Sequence, residues 1–375
     1  MVQTLRSTPA GDGFWMPAEF SAHAGCWMLW PERPDNWRRH AAPAQRAYAA
    51  VASAIARFEP VTVGVSAAAY AGARTQLPAT VRLVELSSDD AWMRDVGPTF
   101  LVNADGELRG AQWRFNAWGG LYRNFERDRS VAQKVLELAG CERYCAPLVT
   151  EGGALHVDGQ GTALVTEESL LDRRRNPRLT RERIETLLKR YLGATQVLWL
   201  TCGLIDDETG GHIDNLACFA RPGEVCLTWP QDERDPQRRV CEHALERLLA
   251  SRDARGRRLR VHRIPAPPPL YLSAREARGI LPRPGIRPLR AGRRLTGSYV
   301  NFYLANGAVI LPLLDARTDG AARRALQRVF PQRRIVGVPA REILLGGGNI
   351  HCITQQQPRA AQARLRGGRR ARARP

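Results

Sequence analysis

One cysteine, Cys352, follows three consecutive glycines in the stretch "GGGNIHC". A thiolate is a strong nucleophile, and backbone without side chains can come close to a reacting centre. Other polar residues recur beside glycines. "ETGGHIDN" sets His212 and Asp214 two apart, which puts them on one side of an extended segment. "EGGALHVDG" places Glu151 ahead of two glycines, and "DDAWMRDVGP" carries Asp89, Asp90, Trp92, Arg94 and Asp95. "FNAWGG" sets Trp118 in front of Gly119 and Gly120. Taken singly, each motif also reads as ordinary structure. His212 and Asp214 fit a surface turn or part of a metal site, although no further cluster has ligand spacing. The acidic loop fits a turn ended by Gly97-Pro98 with Trp92 in the core, and Trp118 fits a packed tryptophan.

Together the pieces suit attack by a thiol on a cationic, carbonyl-like carbon. Several carboxylates around a neutral amide would raise the thiol above its free pKa of roughly 8.5 and repel a developing oxyanion. Around a guanidinium they are needed: that group is planar, permanently charged and matched to bidentate carboxylates. Trp92 and a nearby carboxylate would hold its flat face, with Trp118 as a wall or lid. The bound cation and a protonated His212 would help form the Cys352 thiolate. Glycines 346–348 would let the sulfur meet a flat carbon face-on.

Such a site needs a scaffold that brings distant segments together. Amphipathic helices are predicted at 42–58, 128–140, 180–193, 236–250 and 319–330. Thr180 is a plausible cap for the third and Pro236 a first-turn proline for the fourth. Short β-branched runs follow each helix ("VTVGV" and "VRLVEL", "APLVT", "QVLWL", "LRVHRI", "RIVGV"). Further strands are expected at 99–103, 111–115, 162–166, 216–219, 224–228, 299–304 and 308–312. The pattern is one helix with about three strands, five times over, within one α/β domain spanning 1–358. The polar motifs follow four of the five units at comparable points, as loops converging on a common site would.

The chain has 375 residues, 44% of them hydrophobic, enough for a sizeable core. It shows no secretory-type leader and no apolar run of membrane-spanning length, which points to a cytoplasmic protein. Eight cysteines are too few for a disulfide scaffold, and the spacing of Cys141 and Cys145 lacks the partner pair of a zinc site. The net charge of +19 invites a nucleic-acid reading. Lys134 and Lys189 are the only lysines, however, and seven arginines fall in residues 359–375, a basic tail expected to be disordered. No zinc-finger, RNP-type or helix-turn-helix pattern is present, so no specific nucleic acid is expected as a partner.

The motifs quoted above, with the N-terminal "MPAEFSAHAGCWMLWPERPDNWR", closely resemble those of the agmatine deiminase family. That family is grouped with bacterial-type peptidyl-arginine deiminases in the guanidino-group-modifying superfamily. The resemblance runs from about Phe14 to Pro358. It implies the pentein fold, a five-fold pseudo-symmetric α/β propeller, and hydrolysis of agmatine to N-carbamoylputrescine and ammonia without metal or organic cofactor. It makes Cys352 the covalent nucleophile, His212 the proton shuttle, Asp95 and Asp214 the carboxylates that hold the guanidinium, and Glu151 the acid paired with the histidine. A homodimer or larger assembly is implied as well. The acidic run Asp206-Asp207-Glu208 could receive the far ammonium of agmatine, with Glu208 the favoured residue. A deiminase of free or peptidyl arginine is the alternative within the same chemistry.

Overall fold

The computed structural model describes residues 2–282 and 290–360. Of the arginine-rich stretch 284–297 only residues from 290 onward are described, and of the tail expected at 359–375 only Arg359 and Ala360; the rest of both lies outside the described residues.

The five expected helices are all present: α1 (Ala42–Ile55), α2 (Asp128–Ala139), α3 (Arg181–Leu192), α4 (Pro236–Ala250) and α5 (Asp319–Val329). Their ends follow the local chemistry. The Thr180 side chain accepts from Arg183 N at 3.3 Å, and α3 stops at Gly193, whose φ of 68° is left-handed. Asp235 caps α4 ahead of Pro236. The apolar stripes face inward: Ile184, Leu187, Leu188, Tyr191 and Leu192 are buried on α3, and Ala322, Ala325, Leu326 and Val329 on α5.

Each helix crosses between two parallel strands, as parallel pairing requires. In the second unit Thr99–Val102 pairs antiparallel with Leu108–Arg114, which pairs parallel with Glu142–Val149 across α2. The third unit repeats this with His156–Val157, Thr162–Thr166 and Gln196–Leu200. The fourth uses Ala217–Arg221, Glu224–Trp229 and Arg260–Pro265, and the fifth Tyr303–Ala305, Ala308–Leu313 and Arg334–Pro339. The first unit is split in sequence. His23–Leu29 and Val61–Val65 pair in parallel across α1, and the antiparallel strand that completes them is Thr354–Pro358, from the other end of the chain. Arg82–Glu85 extends this sheet by one more strand.

Two strand expectations need correction. The strand expected at 299–304 begins only at Tyr303, because residues 299–302 form a turn and loop that carries Asn301 into the interior. The strands His23–Leu29, His156–Val157 and Thr354–Pro358 were not anticipated. His23–Leu29 and Thr354–Pro358 pair with each other across more than 300 residues, so no local pattern marks that pairing.

The first and fifth units are joined by a buried polar cluster. The Tyr303 hydroxyl donates to Glu59 Oε1 at 2.6 Å and lies 3.2 Å from His23 Nδ1. Asn306 N donates to Glu59 Oε2 at 2.7 Å, and the Asn306 amide donates to His23 O at 2.9 Å. Among the described residues no helix is long and apolar enough to cross a membrane. Tyr303→Phe removes one donor from a fully buried carboxylate, so a loss of about 1–3 kcal/mol in stability is expected. Urea unfolding followed by circular dichroism measures it.

Candidate active site

The five connections that end one unit and begin the next converge on one buried cluster. The helical turn Met93–Val96 supplies Asp95, and the loop after Glu142–Val149 supplies Glu151. Residues between Gln196–Leu200 and Ala217–Arg221 supply His212 and Asp214. The loop before Tyr303 supplies Asn301, and the connection into Thr354–Pro358 supplies Cys352. His212 and Asp214 do not lie on an extended segment as expected. His212 is the N-cap of the helical turn Ile213–Leu216, anchored by its N–H donating to Asp207 Oδ2 at 3.1 Å.

Each carboxylate has its own anchor. Trp118 Nε1 donates to Asp95 Oδ2 at 2.9 Å, and Gly153 N donates to Asp95 Oδ1 at 2.9 Å. Arg175 Nε donates to both Glu151 oxygens at 3.0 and 3.1 Å. His351 Nδ1 lies 2.9 Å from Asp214 Oδ2. His212 stands between two of them, with Nε2 3.1 Å from Glu151 and Nδ1 3.8 Å from Asp95. Cys352 Sγ lies 3.4 Å from Asp214 Oδ2 and accepts from the Asn301 amide at 3.2 Å. Asp214 Oδ1 is buried and has no hydrogen-bond partner among the described residues, which leaves it free for an incoming N–H donor.

The protonation states follow from these neighbours. Burial pulls His212 toward the neutral form, but Asp95, Glu151 and Asp214 overcome it and push its pKa up to about 9. Burial raises Asp95 to about 6, against the pull of His212. Burial works the same way on Glu151, yet Arg175 and His212 hold it below the usual range. His351, His212 and the thiol do the same for Asp214. Burial, then Asp214 and Asp95, drive the Cys352 thiol well above its ordinary value. Carboxylates (Glu19, Asp95, Glu151, Asp207, Asp214) and basic groups (Arg94, Arg175, His212, His351) interleave through the cluster.

The glycines explain themselves by close approach. A Cβ on Gly348 would lie 2.6 Å from the Trp92 ring and 3.1 Å from Cys352 Sγ. One on Gly153 would lie 2.6 Å from His212 Nδ1, 2.8 Å from Asp95 Oδ1 and 3.0 Å from Asp214 Oδ2. Trp92 is buried, with its Nε1 donating to Asp90 at 3.0 Å and its ring 5.2 Å from that of Trp37. Glu208 reaches the rim of this cluster: its Oε2 lies 3.0 Å from the Cβ position of Gly347, while Oε1 is ion-paired with Arg293.

Every site residue expected from the sequence therefore falls in or beside one cluster. Asn301, His351, Arg175 and Glu19 were not anticipated. For Asn301 the signal was available, since it occupies the one unit junction where no chemical motif had been found.

Residues 15–358 match the family of Porphyromonas-type peptidyl-arginine deiminases, and the chain belongs to that family. Within it, the chain is similar to agmatine deiminases. The agmatine deiminase of Pseudomonas fluorescens is 53% identical over 363 residues, covering 95% of this chain and 99% of the relative. That of Stutzerimonas stutzeri is 54% identical over 361 residues, covering 95% and 98%. The solved structure of the agmatine deiminase of Enterococcus faecalis is 43% identical, covers 96% of this chain and 100% of that one, and has a TM-score of 0.93.

Gly153→Ala is expected to displace His212, Asp95 and Asp214 together. Turnover should fall by ~10²-fold or more, the scale of a misplacement of about 1 Å. Steady-state kinetics on folded protein, verified by its thermal transition, check this.

Proposed function

We propose that this protein is an agmatine deiminase, a hydrolase of a C–N amidine bond that converts agmatine and water to N-carbamoylputrescine and ammonia. The observation that carries the reading is a buried thiol facing anchored carboxylates, one of which keeps an unpartnered oxygen. That arrangement is costly for the free protein and complementary to a guanidinium. The similarity to agmatine deiminases along nearly the whole chain supports the same substrate. Cys352 is only 4% exposed, which suits a slender small molecule better than an arginine held in a folded protein.

Burial and the nearby carboxylates keep Cys352 a thiol in the free protein. An entering guanidinium adds one positive charge beside it and favours loss of the thiol proton to solvent, so substrate binding and thiolate formation favour each other. Asp95 and Asp214 orient the planar cation, and the thiolate attacks its carbon to give a tetrahedral adduct. His212, protonated by its carboxylate neighbours, gives its proton to the departing amine, and ammonia leaves an amidino-cysteine. Now neutral and held by Glu151, His212 takes a proton from the water that attacks this intermediate. Collapse of the second adduct breaks the C–S bond as its hydroxyl becomes the carbonyl, and the hydroxyl proton returns to the Cys352 sulfur, which releases the urea product and restores the thiol. Asn301 donates to the sulfur throughout.

Glu208 is the proposed receiver of the substrate ammonium, since it borders Gly347 next to the nucleophile loop. The five repeated units are proposed to stand around the site as a pentein propeller, with 1–358 as one catalytic domain and 359–375 as a basic appendage. A cytoplasmic, homo-oligomeric enzyme that needs neither metal nor organic cofactor completes the reading.

Ammonia release from agmatine, arginine and a blocked peptidyl-arginine tests the assignment. Strong release from agmatine alone is expected; release mainly from the arginine compounds would keep the chemistry and overturn the substrate. Cys352→Ala should abolish turnover, and Cys352→Ser should be nearly as poor. Glu208→Gln should raise KM for agmatine, and an unchanged KM would remove Glu208 from the amine site. For pH, kcat/KM should climb through the neutral range as thiol ionisation becomes easier. It should fall more steeply below about 6, where Asp95 takes up a proton. It should turn down above about 9, where His212 loses the proton it must donate.

A further inference from the structure

We propose that Glu19 and His351 form a positioning pair for this reaction. In this pair a doubly protonated His351 holds Asp214 Oδ2, and Glu19 holds His351, so that Asp214 stays ionised with Oδ1 turned toward the substrate. The proposal rests on Cys352 being the nucleophile and extends the machinery to residues that do not touch the substrate.

The geometry requires the imidazolium. His351 Nδ1 lies 2.9 Å from Asp214 Oδ2, and Nε2 lies 2.8 and 3.0 Å from the two Glu19 oxygens. Glu19 and Asp214 are both held below the usual carboxylate range against the effect of burial; between two ionised carboxylates a neutral imidazole would turn one lone pair on an acceptor, and only the cation satisfies both contacts. Burial and Arg94 act against its proton, but Glu19 and Asp214 outweigh them and raise His351 above its ordinary value. The His156 ring stacks 6.3 Å away. Glu19 is itself fixed by Arg94 at 3.2 Å and by His156 Nε2 at 3.6 Å. The His156 tautomer follows from its other nitrogen, since Nδ1 accepts from Phe219 N at 3.3 Å and the proton must sit on Nε2.

Glu19, His156 and His351 are also the residue types of a metal site, and their donor atoms lie within 4.8 Å of one another. Their partners argue otherwise. The Nε2 atoms of both histidines present protons to Glu19, and a guanidinium already occupies one Glu19 oxygen. Glu19 is thus already engaged by three basic side chains, which leaves its oxygens little room for a metal ion.

Its link to the chemistry is Asp214 Oδ2, which both His351 Nδ1 and Cys352 Sγ approach. By donating to that oxygen, the His351 cation offsets the negative charge nearest the sulfur and eases thiolate formation. It also fixes the carboxylate so that the unpartnered Oδ1 faces one way.

The test compares parent protein with Glu19→Gln and His351→Asn, reading the pH dependence of Cys352 alkylation by iodoacetamide alongside kcat and KM for agmatine. Asparagine keeps a donor near the Nδ1 position but carries no charge. Alkylation of Cys352 in His351→Asn should therefore move to higher pH by roughly one unit or more. In both variants KM should rise roughly tenfold. The active form of His351 is the protonated one, present below its folded pKa and lost above it. Removing the Glu19 charge lowers that pKa, so the alkaline fall of kcat/KM should begin at lower pH in Glu19→Gln than in the parent. Folded variants with the parent alkylation profile and KM would overturn the proposal. If Glu19→Gln fails to fold because Arg94 loses its partner, His351→Asn decides alone. A parent that ignores agmatine defeats the functional reading instead, and the alkylation profile still judges the pair.

Discussion

A thiol buried among carboxylates can exist only if each negative charge is offset by something fixed. That requirement accounts for most of what surrounds Cys352. Unpaired, a buried carboxylate would take up a proton and lose its use. Here Arg175 holds Glu151, Trp118 holds Asp95 and His351 holds Asp214, each from a different segment of the chain.

Bringing such partners together falls to the repeated unit. Each unit ends in a parallel strand and hands over to an antiparallel one through a connection aimed inward, and all five connections deliver a side chain to the cluster around Cys352. The crossover from Leu108–Arg114 into α2, inside the second unit, carries backbone strain as well. Ala117, Trp118, Gly119 and Gly120 all have positive φ, at 55°, 53°, 82° and 92°. Two of these are not glycine, at a cost of roughly 1–2 kcal/mol each. The bond from Trp118 to Asp95 and the packing of its ring against Phe115 at 5.0 Å and Tyr122 at 5.8 Å hold the turn in place. The strain lies beside the site and serves to aim a donor.

Much of this was legible in the sequence, and the parts that were not share a cause. The helices show because a 3.6-residue apolar period is a local property, and α1 to α5 fall close to their expected bounds. The motifs holding Cys352, His212, Asp214 and Glu151 show because glycines flag close approach and because acids beside a thiol imply a cationic target; the choice of Asp95 over Asp89 and Asp90 came from the family resemblance. Asn301 did not, since "SYVNFYLA" reads as a continuous strand until the turn at 299–302 is seen. Glu19 and His351 did not, because their meaning lies in a contact spanning over 300 residues. His212 and Asp214 were paired for the wrong local reason: a helical turn, not an extended segment, brings both to the cluster.

The first sheet is completed by the last strand, and Arg359 N donates to Ala22 O at 2.8 Å. The closing strand thus returns to within one hydrogen bond of the residue just ahead of the strand that opens the sheet. The segment before Ala22 runs elsewhere: Thr4–Leu5 pairs in parallel with Glu142–Val149, and Trp15 bridges to Val102, both in the second unit. One terminal segment therefore clasps the second unit and the other closes the first, so the split unit is tied to its neighbour from outside the repeat.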